Sequence, residues 1–269
     1  MDNGAMLRGI FPILLTPFDG SGAVRASACG AHEVVIETPD HGRRLADLDV
    51  DQVRRVLDVF SARMRALAED PAHRHLIVYK NYGAEAGASL PHAHSQIVAA
   101  PIVPTEVGRI VAAAEAFHVR TGRCLFCDVL REELADGRRV VEASDAFVVF
   151  APFDARVPYE LAIYPRDHEA DFADLDGEGR RALAGTLKRT LRRLTTVLGD
   201  VPYNLVLQSA PNDRALEARR SVAAAYHWRI EIIPRRARLG GLEWGAGLLI
   251  NGVSPETAAE RLRAEAPGG

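Results

Sequence analysis

Two stretches of the chain carry the same apolar rhythm. Val53, Val56, Leu57, Phe60, Met64 and Leu67 recur at three- and four-residue intervals, and Leu183, Leu187, Leu191, Leu194 and Leu198 do the same. Each spacing draws one apolar stripe along a helix and predicts an amphipathic helix packed on a core. Asp49 followed by Gln52 has the form of a capping box, and Asp176 stands at the matching N-cap. Short apolar runs flank each helix, at 33–37 and 76–79 around the first and at 160–164 and 204–207 around the second. These predict strands.

The two helices belong to a duplication. Pro39-Asp40-His41 precedes Ala46-Asp47-Leu48-Asp49, and Pro165-Arg166-Asp167-His168 precedes Ala173-Asp174-Leu175-Asp176, each leucine seven residues after its histidine. A further strand closes each copy, so that His92, His94 and Gln96 correspond to His227, Arg229 and Glu231. Strand, helix, strand, strand, written twice, predicts an α+β fold of two antiparallel units, each covered by one helix. The expected modules are 1–118 and 119–269. A helix from Pro104 to about Phe117 is expected to bridge them. Ser254, with Pro255 at the first helical position, starts a C-terminal helix.

A length of 269 residues accommodates one large domain or two modules. The net charge of -3 excludes the basic footprint of a nucleic-acid binder. Lys80 and Lys188 are the only lysines, so the positive charge is almost wholly arginine, which with the abundant alanine reflects base composition before function. No apolar run reaches the eighteen or so residues of a membrane span. The apolar segment from Ile10 to Phe18 contains Pro12 and Pro17 and lacks a small-residue cleavage site, which argues against a secretory signal and for the cytoplasm.

The candidate chemistry lies between Gly83 and Gln96. Alternate residues of an extended strand face one way, so His92, His94 and Gln96 are expected to project together. Gly83, Gly87 and Ser89 upstream suit close approach of backbone N–H groups to an anion. Histidine beside a phosphate cradle suggests phosphoryl or nucleotidyl transfer. Cys124 and Cys127, spaced as a metal-binding pair, point to ligands in a reducing compartment, not to a disulfide framework. His32, His73, His75 and His118 belong to no ligand-spaced set and are expected at the surface or in local hydrogen bonds. Tyr203, Trp228 and Trp244 read as core or rim aromatics.

The ordered set Lys80 to Ser89, Pro91 to Gln96, Tyr226-His227-Trp228, Gly241-Leu242-Glu243 and Pro255-Glu256 resembles the galactose-1-phosphate uridylyltransferase family, over about Gly30 to Arg263. The resemblance implies two fused histidine-triad-like modules, a homodimer, and transfer of UMP from UDP-glucose to a hexose 1-phosphate such as galactose 1-phosphate. A sister group phosphorolyses ADP-sugars. By residue-by-residue carry-over, His94 is the nucleophile that forms a nucleotidyl-histidine, which implies ping-pong kinetics. Gln96 holds a phosphoryl oxygen where a hydrolase of the superfamily has a third histidine, and this favours transfer over hydrolysis. Asn81, Gly87 and Ser89 match phosphate- and ribose-binding positions, and Glu243 matches one near the nucleotide or sugar. Ala93 replaces the proline that usually separates the two histidines.

The resemblance also implies a closed structural zinc site in the second module, with Cys124, Cys127, His168 and His227 as ligands. In the first module only His41 and His92 match, as a weaker pair. In the second module the cysteine pair begins 44 residues before His168, and the same offset from His41 falls at −3, before Met1. Cys29 is single and wrongly placed to replace it. The sequence therefore reads as shortened at its N-terminus relative to the family. Arg229 replaces the second nucleophile, so one active site per chain is expected. The alternatives are an ADP-sugar or dinucleoside polyphosphate phosphorylase using the same histidine, and an inactive zinc-stabilised remnant or nucleotide-binding protein.

Overall fold

The computed structural model describes residues 6–9, 30–212, 216–236 and 240–265. Cys29 and the apolar segment from Ile10 to Phe18 lie outside them. The strands are β1 (Met6–Gly9), β2 (Ala31–Ile36), β3 (His75–Tyr82), β4 (His94–Ala100), β5 (Val140–Ala143), β6 (Phe147–Phe150), β7 (Leu161–Pro165), β8 (Tyr203–Gln208) and β9 (Arg229–Pro234). They form one antiparallel sheet in the order β1-β2-β4-β3-β8-β9-β7-β6-β5. Around the β3–β8 seam the two copies are arranged in mirror order, with the strand after the helix at the seam, the strand that follows the histidine next, and the strand before the helix third, flanked by β1 on one side and by β6 and β5 on the other. The fold is α+β, as the pattern predicts.

Helices α1 (Val50–Ala68) and α4 (Gly177–Leu198) lie side by side on one face. All six stripe residues of α1 are buried, as are Leu183, Leu187, Leu191 and Leu194 of α4; Leu198 is partly buried. They pack on Val35, Val78, Ile97, Leu205, Ile230 and Ile232 from alternate strand positions. Asp49 and Asp176 cap the two helices, accepting from Gln52 N–H and Gly179 N–H, each at 2.7 Å. The reciprocal half of the capping box at Asp49 does not form. Gln52 instead donates its side-chain amide to the Glu37 carbonyl at 2.6 Å, which ties the start of α1 to the chain leaving β2.

The bridging helix α2 (Thr105–Thr121) runs to Gly122, which closes it with φ of 69°, so the module boundary expected at 118/119 falls in its last turn. Helices α3 (Leu125–Asp136), α5 (Leu216–Ala225) and α6 (Gly241–Ala246) follow in order, and α7 (Pro255–Ala264) is capped by Ser254 accepting from Thr257 N–H. Trp228 is buried beside Phe147 and Phe172, and Tyr203 stacks on Tyr82, whereas Trp244 is 78% exposed.

His75 corrects the expectation of a surface or locally bonded histidine. It is 1% exposed and neither ring nitrogen has a hydrogen-bond partner among the described residues. Burial pulls its pKa down to about 4. The neutral ring is therefore the native form, and between the unfolded value near 6.5 and the folded value the unfolded chain binds the extra proton. Stability is expected to fall as pH drops through this window, by about 3 kcal/mol once pH is below 4. Urea unfolding at pH 7 and pH 4 tests this. His75→Leu should lose less stability between the two pH values than the natural protein, and an equal loss in both would refute the assignment.

Candidate active site and metal centre

The site is built where β3 ends and β4 begins. Gly83 has φ of +83°, and a Cβ there would stand 2.8 Å from Pro202 Cβ, so this turn requires glycine twice over. The following turn closes on itself. Ala86 N–H and Ala88 N–H donate to the Gly83 carbonyl, and Gly87 N–H donates to the Ala84 carbonyl at 2.9 Å. These three amides are spent within the loop and are not free to cradle an anion. Asn81 donates to the Gly87 carbonyl and accepts from Asn204, which also holds the Ala86 carbonyl. A strand of the second copy thus braces the glycine turn of the first.

Beside this turn lies a cavity of about 800 Å³, with Arg43, Arg44, Asn81, Ser89 and His92 among its lining residues. Arg44 spans Asp47 and Asp200, with hydrogen bonds at 2.7 and 2.9 Å. Ala93 also lines the cavity, and His94, the next residue, is 4% exposed. His94 itself, Gly87, Gln96 and Glu243 are not among the lining residues. Glu243 accepts from Gly240 N–H at 2.7 Å and so caps its own helix, α6.

His94 has a defined tautomer. Its Nδ1 is 2.8 Å from the His92 carbonyl oxygen, which can only accept, so the proton sits on Nδ1 and the Nε2 lone pair is available. The main chain around it is pinned from below. Lys80 Nζ donates to the His94 carbonyl at 3.0 Å and to Glu37 Oε2 at 2.9 Å, and Glu37 Oε1 accepts from Ser95 Oγ at 2.6 Å. Lys80 and Glu37 are 2% and 0% exposed. Such a buried pair is tolerable because each partner finds further hydrogen bonds. The sequence reading missed this network, although Lys80 is one of only two lysines in an arginine-rich chain. It also set His32 aside, yet His32 Nε2 meets Gln96 Oε1 at 2.7 Å.

His92 does not share the strand with His94; it precedes β4. Its Nε2 donates to the Thr38 carbonyl at 2.6 Å, and its Nδ1 is 2.8 Å from His41 Nδ1. The two rings meet edge to face, 4.3 Å between centroids. No third histidine, cysteine or carboxylate among the described residues joins them as a ligand cluster.

In the second copy four donors do converge. The ligand atoms of Cys124, Cys127, His168 and His227 all lie within 4.8 Å of one another. Cys127 Sγ is 3.3 Å from His168 Nδ1 and 3.4 Å from His227 Nδ1. A tetrahedral ion with bonds of about 2.3 Å to sulfur and about 2.0 Å to nitrogen separates such atoms by about 3.5 Å, so the donor set fits a metal. His168 Nε2 donates to the Ala223 carbonyl at 2.8 Å, which leaves Nδ1 facing the cluster as a ligand must. The hydrogen bond between the two thiols lowers Cys124 and raises Cys127, so the pair favours a thiolate on Cys124.

The place equivalent to His94 is filled. Arg229 is buried with its guanidinium 5.2 Å from the Phe126 ring, and it donates to Glu231 at 2.9 Å. Arg156 bridges Glu231 and Glu160. Burial pushes the Glu231 carboxyl up, but Arg229 and Arg156 outweigh it and hold it below the usual range.

Residues 24–104 match the galactose-1-phosphate uridyl transferase N-terminal domain, and residues 77–267 match the C-terminal domain of the same family. The chain is 35% identical over 234 residues to an ADP-glucose phosphorylase of Arabidopsis thaliana, covering 87% of this chain but only 64% of the relative. It is 30% identical over 241 residues to a galactose-1-phosphate uridylyltransferase of Thermotoga maritima, covering 87% of this chain and 74% of that protein. The crystal structure of an Arabidopsis thaliana ADP-glucose phosphorylase with bound ADP-glucose matches with a TM-score of 0.81 at 33% identity, covering 89% of this chain and 74% of that one. The chain belongs to the galactose-1-phosphate uridyl transferase family.

Proposed function

We propose that the protein transfers a nucleoside monophosphate from a sugar nucleotide through a covalent intermediate on His94. The carrying observation is the Nδ1 proton donated to the His92 carbonyl, which leaves Nε2 as the attacking atom. Nε2 attacks the α-phosphorus; a P–N bond forms, the P–O bond to the β-phosphate breaks, and hexose 1-phosphate leaves as a stable anion that needs no strong acid. An acceptor phosphate oxygen then attacks the same phosphorus and the P–N bond breaks, regenerating the lone pair. Gln96 holds a non-bridging oxygen, and Asn81 and Ser89, which line the cavity, contribute to substrate binding; Gly87 and Glu243 stand outside that lining, Gly87 shaping the turn and Glu243 capping α6.

In the first reading UDP-glucose is the donor and a hexose 1-phosphate, galactose 1-phosphate, is the acceptor. In the second, ADP-glucose is the donor and inorganic phosphate the acceptor, a reading favoured by the similarity to the plant ADP-glucose phosphorylase. Incubation with each donor labelled in its α-phosphate, with the other in unlabelled excess, separates them. Uptake from UDP-glucose undiminished by ADP-glucose supports the first, the reverse supports the second, and no acid-labile label from either refutes both.

Cys124, Cys127, His168 and His227 would hold a structural zinc that clamps the second module and takes no part in transfer. No helix among the described residues is long and apolar enough to cross a membrane; free thiols at Cys124 and Cys127 suit the reducing cytoplasm in which we place the enzyme. The exposed side chains of Leu242, Trp244, Leu248 and Ile250 support pairing of two chains.

A further inference from the structure

Gln96 shares its face of the sheet with two residues that act on it. Tyr79 of β3 lies opposite Gln96 in register, and His32 of β2 lies opposite Val98, two residues further along β4, so the three side chains project from one side. His32 Nε2 is 2.7 Å from Gln96 Oε1, and the Tyr79 hydroxyl donates to the same oxygen at 2.9 Å. An amide oxygen can only accept, so the His32 nitrogen facing it carries a proton. Burial raises the Tyr79 phenol, which keeps its proton as well. Two donors therefore converge on one carbonyl oxygen, and the Gln96 amide nitrogen has no acceptor among the described residues.

A glutamine amide is free to turn over, because rotation about its last torsion is soft. One orientation offers two N–H donors to a phosphoryl group, and the other offers a carbonyl oxygen that repels it. The turned-over amide would also set N–H against the His32 N–H. We infer that His32 and Tyr79 are positioning residues that lock the Gln96 amide with its nitrogen toward the transferring phosphoryl group. This rests on the nucleotidyl-transfer reading. Neither residue is asked to touch substrate; both act through Gln96.

The test is the rate at which acid-labile α-phosphate label appears on the protein, measured by rapid quench with the donor that labels the natural enzyme. His32→Leu and Tyr79→Phe should each slow labelling by about fivefold to tenfold while donor KM changes less than about twofold. His32→Gln, whose amide nitrogen can reach the same oxygen, should recover most of the rate. Gln96→Ala supplies the decisive arm, because His32→Leu should cost nothing further in that background. An unchanged rate in His32→Leu and Tyr79→Phe, or the same loss with and without Gln96, would overturn the inference. Tyr79→Phe keeps the ring and the fold should His32→Leu unfold the strand. Absence of label on the natural protein would instead defeat the transfer reading, and the inference with it, in the first arm alone.

Discussion

His94→Ala is expected to take up no acid-labile nucleotidyl label and to lose transfer activity by at least about 10⁴-fold, the scale on which loss of a covalent nucleophile is felt. The fold should survive, because the Lys80 Nζ contact is to the main-chain carbonyl of residue 94, which alanine retains. The expected stoichiometry on the natural protein is one label per chain. Arg229 occupies the equivalent position in β9, has no lone pair to attack with, and is buried. Label persisting on His94→Ala, or two labels per folded chain, would remove His94 from its role. Thermal midpoints for both proteins, measured alongside, separate a lost nucleophile from a lost fold.

The second large effect is expected at the metal centre. Elemental analysis of protein purified without chelator should find close to one zinc per chain, and Cys124→Ser or Cys127→Ser should abolish it. Removing one ligand from a closed site forfeits binding energy that is also folding energy, so the thermal midpoint should fall by roughly 10 °C. His41 and His92 should add no second equivalent, because they hydrogen-bond to each other, His92 is also held by the Thr38 carbonyl, and no third ligand joins them among the described residues. Prolonged chelation should reproduce the cysteine variants, and readdition of zinc should reverse it. A metal-free natural protein with an unchanged midpoint would show that the four side chains pack without an ion.

Periodicity and spacing reach only as far as local geometry does. The stripes of α1 and α4 were legible because helical contact recurs every three or four residues, and both N-caps were legible because an N-cap bonds within one turn. Cys124, Cys127, His168 and His227 could be grouped because the family resemblance supplied the long-range registration that spacing lacks. Where registration had to come from strand pairing, the sequence was mute. His32 reaches Gln96 across 64 residues, and Lys80 reaches Glu37 across 43; the rarity of lysine could single out Lys80, but nothing in the sequence names either partner. His75 was misread for the same reason, since a histidine with no ligand spacing looks exposed until the neighbours that bury it are known. The glycine-rich turn shows the remaining limit. Gly83 and Gly87 were read as room for an anion, whereas Gly83 serves a positive-φ turn against Pro202, and which carbonyls consume the loop amides depends on the closed shape of that turn.

The cluster of Arg229, Glu231, Arg156 and Glu160 bears on what the second copy can become. A histidine placed at 229 would leave the Arg156-bridged carboxylates, Glu160 buried and Glu231 largely so, short of one cation, and unbalanced buried charge is strongly destabilising. A nucleophile could therefore be introduced there only if several positions changed together. The two copies are not interchangeable: one can be refitted for chemistry at little structural cost, and the other is bound by its own charges to holding the sheet in shape.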